Sequence, residues 1–158
     1  MHFIMTSRTI DNLELHDGTD LPSVLFDTNV VLDVILERKP YAIDSAKAVA
    51  RMFCLHPRAF ISASAVTDLH FILSKHLKEQ SLVYDALDNV FKLFAIADVS
   101  AINIYNAHAA RPKDFEDAVV GSIAASNGFD YVVTRNTKDF EELPVAAITP
   151  TEFLKIEL

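Results

Sequence analysis

The sequence predicts a single α/β domain built on a parallel sheet. Three observations carry the prediction. Short apolar runs of strand length recur along the chain, at Val24-Leu25-Phe26, Ala59-Phe60-Ile61 and Tyr131-Val132-Val133. Amphipathic stretches of helical period separate them, the alternation expected of α/β folds. The 158 residues match the size of one compact domain, with 51% hydrophobic residues to fill a core and no repeat, low-complexity segment or Gly/Ser linker to divide it.

The elements follow in order. Val24-Leu25-Phe26 is the first core strand and ends at Asp27. After Pro40 a helix is expected from about Tyr41 to Cys54, with Ile43, Ala46, Ala50 and Phe53 on its apolar stripe. Ala59-Phe60-Ile61 is a second short strand, and Ser62 or Ser64 can cap a helix carrying Val66, Leu69 and Leu73 on one side. A third helix is expected over Ser81 to Phe94, with Val83, Leu87, Val90 and Phe94 inward. Ile96 to Val99 makes a strand, and Ser100 caps a short helix reaching Ala109. Arg111-Pro112 is a break. A further helix starts near Asp114 and stops at Asn127-Gly128, where glycine suits a left-handed C-terminal cap. Tyr131 to Val133 is the clearest buried strand, Ala146 to Ile148 the last, and a short helix from Thr151 closes the chain. Residues 1–22 form an N-terminal extension with scattered apolar positions (Ile10, Leu13, Leu15) and no assigned role.

Bulk properties exclude several classes. No apolar run approaches the roughly 18 to 20 residues of a membrane span, and the N-terminus lacks the basic start and apolar stretch of a signal peptide. Cys54, the one cysteine, forms neither an internal disulfide nor a metal-binding spacing. The expectation is a soluble, cytoplasmic protein. A net charge of −8 argues against a protein that coats duplex nucleic acid, since phosphate contacts need a basic surplus. A metal-dependent nuclease is a partial exception, because cations neutralise its acidic site and the formal count omits them. With three glycines the chain has no phosphate-cradling or dinucleotide-binding loop, and His70 and His76 have no zinc spacing.

The candidate chemistry is acidic. In open parallel sheets, ligands gather beyond the carboxyl ends of the strands. Asp27 lies at such an end, followed by Thr28 and Asn29, although Asp and Asn also serve as ordinary turn residues there. Asp68 falls in the first turns of the helix after the second strand, where an acid near a helix N-terminus needs no further function. Asp114 and Asp117 are three apart and share a helix face. Phe115 and Ala118 are placed on the core-facing stripe, and Glu116 is read as solvated. Asp139 comes just beyond the strand at Tyr131 to Val133. Each position has a dull explanation, but four separate elements bring carboxylates to one edge of one sheet. Mutually repelling carboxylates at one edge suit a hard cation such as Mg²⁺ or Mn²⁺, which prefers oxygen ligands.

These segments resemble the PIN-domain family, and within it the VapC-type toxins of toxin–antitoxin pairs. The resemblance rests on Leu25-Phe26-Asp27-Thr28-Asn29 with Leu32-Asp33, and on Ile61-Ser62-Ala63-Ser64-Ala65-Val66-Thr67-Asp68. It continues in Asp114-Phe115-Glu116-Asp117-Ala118, through Gly128, to Val133-Thr134-Arg135-Asn136 and Asp139-Phe140. It spans about Val24 to Leu154, and implies that residues 23–158 are a three-layer nuclease domain, a central parallel sheet of about five strands between helices. It also implies a Mg²⁺- or Mn²⁺-dependent endoribonuclease, the toxin of a type II pair, with RNA as substrate, a cognate antitoxin as partner and homodimerisation. The apolar helices around Ala42 to Ala50 and Val83 to Phe94 would offer the dimer surfaces. Carried over by position, Asp27 and Asp117 would be core metal ligands and Asp68 would complete the first site. Asp139 would bind a second ion or orient water, and Asp114 would assist. Asp27, Asp68, Asp117 and Asp139 form the catalytic set. Thr28, Asn29, Thr134 and Asn136 match the polar residues that hold the carboxylates. Arg38, Lys113, Arg135 and Lys138 are candidates for guiding the RNA backbone. Many relatives have glutamate where Asp68 stands, and the shorter side chain reaches less far. Two other functions fit the same residues: a catalytically inactive binding module and a housekeeping RNA-processing nuclease.

Overall fold

A computed structural model describes residues 21–54 and 59–157; the expectations for Ile10, Leu13 and Leu15 lie outside them. Five strands form one sheet, β1 (Val24–Phe26), β2 (Ala59–Ser62), β3 (Ala95–Ala97), β4 (Tyr131–Val133) and β5 (Ala146–Ile148). Their spatial order is β3-β2-β1-β4-β5, and every neighbouring pair is parallel. Parallel neighbours require crossovers, and the intervening helices supply them. These are α1 (Thr28–Ile35), α2 (Ala42–Cys54), α3 (Ala63–His76), α4 (Gln80–Leu93), α5 (Ala101–Ala110), α6 (Phe115–Asn127) and α7 (Pro150–Phe153).

The two-residue period of the strands divides the core into two layers. Val24, Phe26, Ile61 and Val133 pack on one face with apolar residues of α1–α4 and α7, among them Val30, Met52, Leu69, Leu87 and Phe153. Leu25 and Val132 face the other side, against Ala107 of α5 and Ala118, Val119 and Ile123 of α6. The sheet is thus covered on both faces, which is why its strands read as unbroken apolar runs rather than alternating ones. The expected three-layer α/β architecture is the observed one.

Local signals set most boundaries. The Ser62 hydroxyl accepts from the Ala65 amide at the start of α3, and Thr149 and Glu152 form a reciprocal capping box around Pro150. Gly128 ends α6 with φ 66°, a conformation that costs a side-chain-bearing residue more than glycine.

Four expectations need correction. The eight residues of α1 were not anticipated, because the helix begins directly after Asp27 with no intervening break. The buried stripe of α2 is Ser45, Ala48, Val49 and Met52, whereas Ile43 is 67% exposed. Choosing Ile43 as the anchor rotated the stripe by roughly a third of a turn. Strand β3 is shorter and earlier than Ile96 to Val99. A 3-10 turn over Thr137–Phe140 follows β4 and buries Phe140, which the sequence reading left unassigned.

Candidate active site

The chain leaves β1 toward β2 and β3 on one side, then returns to add β4 and β5 on the other. The order therefore reverses between β1 and β4, and a crevice opens beyond their carboxyl ends. Asp27 follows β1 and Thr134 follows β4, and both are buried. Thr134 Oγ1 donates to Asp27 Oδ2 at 2.7 Å, and Asn29 Nδ2 donates to the same oxygen at 2.6 Å. Asn29 also reaches Thr134 Oγ1 at 3.1 Å and accepts at its Oδ1 from the Arg135 amide at 3.2 Å. The Asn136 amide donates to Thr134 Oγ1 at 3.0 Å. One asparagine on the first turn of α1 thus ties the two loops of the crevice together. Burial pushes the Asp27 carboxyl above its ordinary range, against the opposing pull of the Thr134 hydroxyl and the amides of Thr28 and Asn29. Neither amide completes a capping bond to the Asp27 side chain, so their effect is that of nearby dipoles. Thr28 is buried beside them.

The opposite wall is the N-terminus of α6. Asp114 caps it, its Oδ1 accepting from the amides of Glu116 at 3.0 Å and Asp117 at 3.3 Å. Asp114 therefore has a demonstrable structural role, the ordinary explanation for an acid at this position. Asp117 does not: it is 6% exposed, and its Oδ2 is buried without a hydrogen-bond partner among the described residues. Its carboxyl is pushed up to about 7 by burial, then by Asp27, Asp114, Asp139 and Glu116. A desolvated carboxylate faced by four others is strongly disfavoured as an anion unless a cation joins it.

Asp139, exposed in the 3-10 turn, joins the group through its repulsion of Asp117. Asp68, half-buried in the second turn of α3, is raised by burial. It enters the group through Glu116, whose carboxyl is raised by burial and by Asp68, Asp27 and Asp114. The sequence reading placed Glu116 in solvent. It is exposed, yet it shares the field of the acidic group and links Asp68 to the rest. Phe115, expected on the core-facing stripe, is instead 46% exposed; Ala118 is buried.

Of the basic candidates, Lys113 and Lys138 are exposed and Arg38 is half-buried. The Arg135 guanidinium is engaged elsewhere, with Nε 3.3 Å from Asp33 Oδ2 and Cζ 4.5 Å from the Tyr41 ring centroid. Asp33, on α1, is wholly buried. It was noted in the sequence without a role, and nothing in its spacing signals a buried charge.

Among the described residues, no three His, Cys, Asp or Glu side chains form a group that could hold an ion unaided. Mg²⁺ does not require such a group, since it keeps several waters and uses one or two carboxylates with substrate phosphate. The orphaned Asp117 Oδ2 and the repulsion around it supply the observation that fits such an ion.

The sequence model described as PIN domain matches residues 23–138. Comparison with curated proteins gives no match. Solved structures align over most of the chain. A DNA-bound VapBC from Salmonella typhimurium superposes with a TM-score of 0.63 at 19% identity, covering 82% of this chain and 99% of that one. A toxin–antitoxin complex from Klebsiella pneumoniae has a TM-score of 0.61 at 25% identity, covering 81% and 98%. The sarcin-ricin-loop-cleaving toxin VapC20 of Mycobacterium tuberculosis has a TM-score of 0.60 at 12% identity, covering 77% and 96%. At identities below 25% the likeness is one of fold.

Proposed function

The chain belongs to the PIN-domain family, and from that premise we propose that it is a metal-dependent endoribonuclease, the toxin of a type II toxin–antitoxin pair. The single observation that carries the reading is Asp117: a buried carboxylate with an unpartnered oxygen, surrounded by other acids at the switch point of a parallel sheet. Such clustering of perturbed acids is costly to a fold and marks functional sites. The toxin assignment is supported by solved neighbours described as VapBC and toxin–antitoxin complexes, and RNA as substrate by one described as cleaving the sarcin-ricin loop. A cognate antitoxin is the partner this reading implies.

Asp27 and Asp117 would hold Mg²⁺ or Mn²⁺, with Asp68, Asp114, Asp139 and Glu116 contributing charge around them. A bound divalent ion lowers the pKa of coordinated water and offsets charge at a phosphoryl group. Asn29 and Thr134 orient Asp27 by occupying its Oδ2. Water can serve as the attacking group at such a site, so no covalent nucleophile is needed. Lys113 and Lys138, exposed beside the acidic loops, would meet the RNA backbone.

The test is cleavage of RNA by purified protein with and without Mn²⁺. Asp27→Asn and Asp117→Asn should each lower metal-stimulated cleavage by about 100-fold or more, since both remove a ligand from the reacting ion. Undiminished cleavage by both variants would sink the mechanism. Failure of the wild type to bind Mn²⁺ saturably would favour the inactive binding module instead.

A further inference from the structure

Resting on the nuclease reading, we infer that the ion pair between buried Asp33 and half-buried Arg135 is a positioning device that holds Asn29 and Thr134 in place against Asp27. Arg135 has a contact in both networks. Its main-chain amide donates to Asn29 Oδ1 at 3.2 Å, and Asn29 in turn donates to Asp27 Oδ2 at 2.6 Å. Its side chain reaches α1 and the residue before α2, while its charge also acts on Asp27. Nε sits 3.3 Å from Asp33 Oδ2, and the guanidinium lies over Tyr41. Ser45 of α2 donates to the same Asp33 oxygen at 3.3 Å. The side chain therefore anchors the loop after β4 to α1 and the residue before α2, while its backbone sets the distance to α1's first turn.

The physical detail argues against a purely stabilising role. Asp33 is wholly buried, its Oδ1 has no hydrogen-bond partner among the described residues, and Arg135 Nε lies off the line of a hydrogen bond. With Asp33 wholly buried and Arg135 28% exposed, a pair left this incompletely satisfied is a poor stabiliser. In some proteins the use of such a polar pair is to fix the register between two elements. Here the register is between the β4 loop and α1, the two segments that flank Asp27.

The test compares wild type with the double variant Asp33→Leu/Arg135→Met, which removes both charges together and so leaves neither buried alone. The side-chain amide signal of Asn29, assigned by its loss in Asn29→Asp, is followed in ¹⁵N-correlated NMR spectra alongside thermal unfolding and steady-state cleavage. The expected result is a folded protein whose Asn29 amide moves toward the free-amide position, with kcat lowered about 10- to 100-fold, the usual effect of losing groups that orient a ligand, and KM within about threefold. An unmoved Asn29 signal in the folded variant overturns the inference, whatever happens to cleavage. Should the double variant not fold, Arg135→Lys, which keeps Asp33 paired but loses the planar fork, is measured the same way. It should displace the Asn29 signal in the same direction by less, and an unmoved signal again overturns the inference. The Asn29 readout needs no catalysis, so a wild type that cleaves no RNA would sink the nuclease reading separately.

Discussion

Asp117 carries an unusual burden for a single side chain: a buried oxygen without a partner, and a pKa pushed up to about 7 by burial and then by neighbouring carboxylates. The consequence for stability has a definite sign. In the unfolded chain this carboxyl ionises near 3.8, so between about pH 4 and 7 the folded state holds a proton that the unfolded state has released. Stability contributed by this residue therefore falls as pH rises through that window, and the full penalty is present above about 7. Asp27, Asp68 and Glu116 are shifted in the same direction. Metal-free Asp117→Asn should accordingly be more stable than metal-free wild type at pH 8, by on the order of 1 to 3 kcal/mol, with the difference closing near pH 4. Urea unfolding at the two pH values checks this, and a difference independent of pH would mean that the carboxylates do not repel as described. The same residue scale explains why Glu116 escaped the sequence reading. Its neighbours in the chain suggest solvent, and only the approach of α3 and β1 brings Asp68 and Asp27 into its field.

Among the elements, α6 does the most to build the crevice. Its N-terminal cap holds Asp114 and Asp117, its buried residues cover one face of the sheet, and Gly128 closes its far end. Its position against the loop after the 3-10 turn depends on Gly121, where an added Cβ would meet Leu143 Cδ1 at 2.5 Å and Leu143 Cβ at 3.2 Å. The leucine methyl can rotate away, but its Cβ is fixed to the backbone. Gly121→Ala should therefore destabilise the protein by about 1 to 3 kcal/mol, the range for overpacking, despite alanine's better helix propensity. The cost should shrink in a Leu143→Gly background, which removes that Cβ as well. Thermal or urea unfolding of the four proteins tests the contact, and an unchanged cost in that background would place the strain elsewhere. At this scale α2 is instructive as well. Several of its residues are small, so more than one stripe looks apolar, and only the packing of α1 and α7 selects the Ser45, Ala48, Val49, Met52 face.

For the whole molecule, the sheet order brings residues 27 and 134 together across more than a hundred positions of sequence. The fold thereby concentrates negative charge that a divalent ion would offset. An ion bound only by the folded state stabilises it by about 2.7 kcal/mol at 100 times its Kd, which for a chain of this size is roughly 5 to 10 °C in Tm. Saturating Mn²⁺ should raise the wild-type midpoint by that amount and leave Asp27→Asn nearly unmoved. An equal rise in both would assign the ion to another place. Among the described residues no helix is long and apolar enough to cross a membrane.

The sequence by itself determined the fold class and nearly every strand, because fully buried parallel strands are short unbroken apolar runs and their flanking helices carry clear caps at Ser62, Asp114 and Gly128. It also singled out Asp27, Asp68, Asp114, Asp117 and Asp139 as candidates, since an acid beyond a strand end or at a helix start is visible in one dimension. Helix α1 escaped because no break precedes it, and Asp33 and Arg135 escaped as a pair because they lie on separate elements. Only the tertiary structure decided which oxygens are occupied and which are orphaned: Asp114 is a cap, Asp27 is held by Asn29 and Thr134, and Asp117 has a buried oxygen with no partner. Hydrogen bonding and desolvation depend on neighbours brought in from distant segments, and no local pattern encodes them.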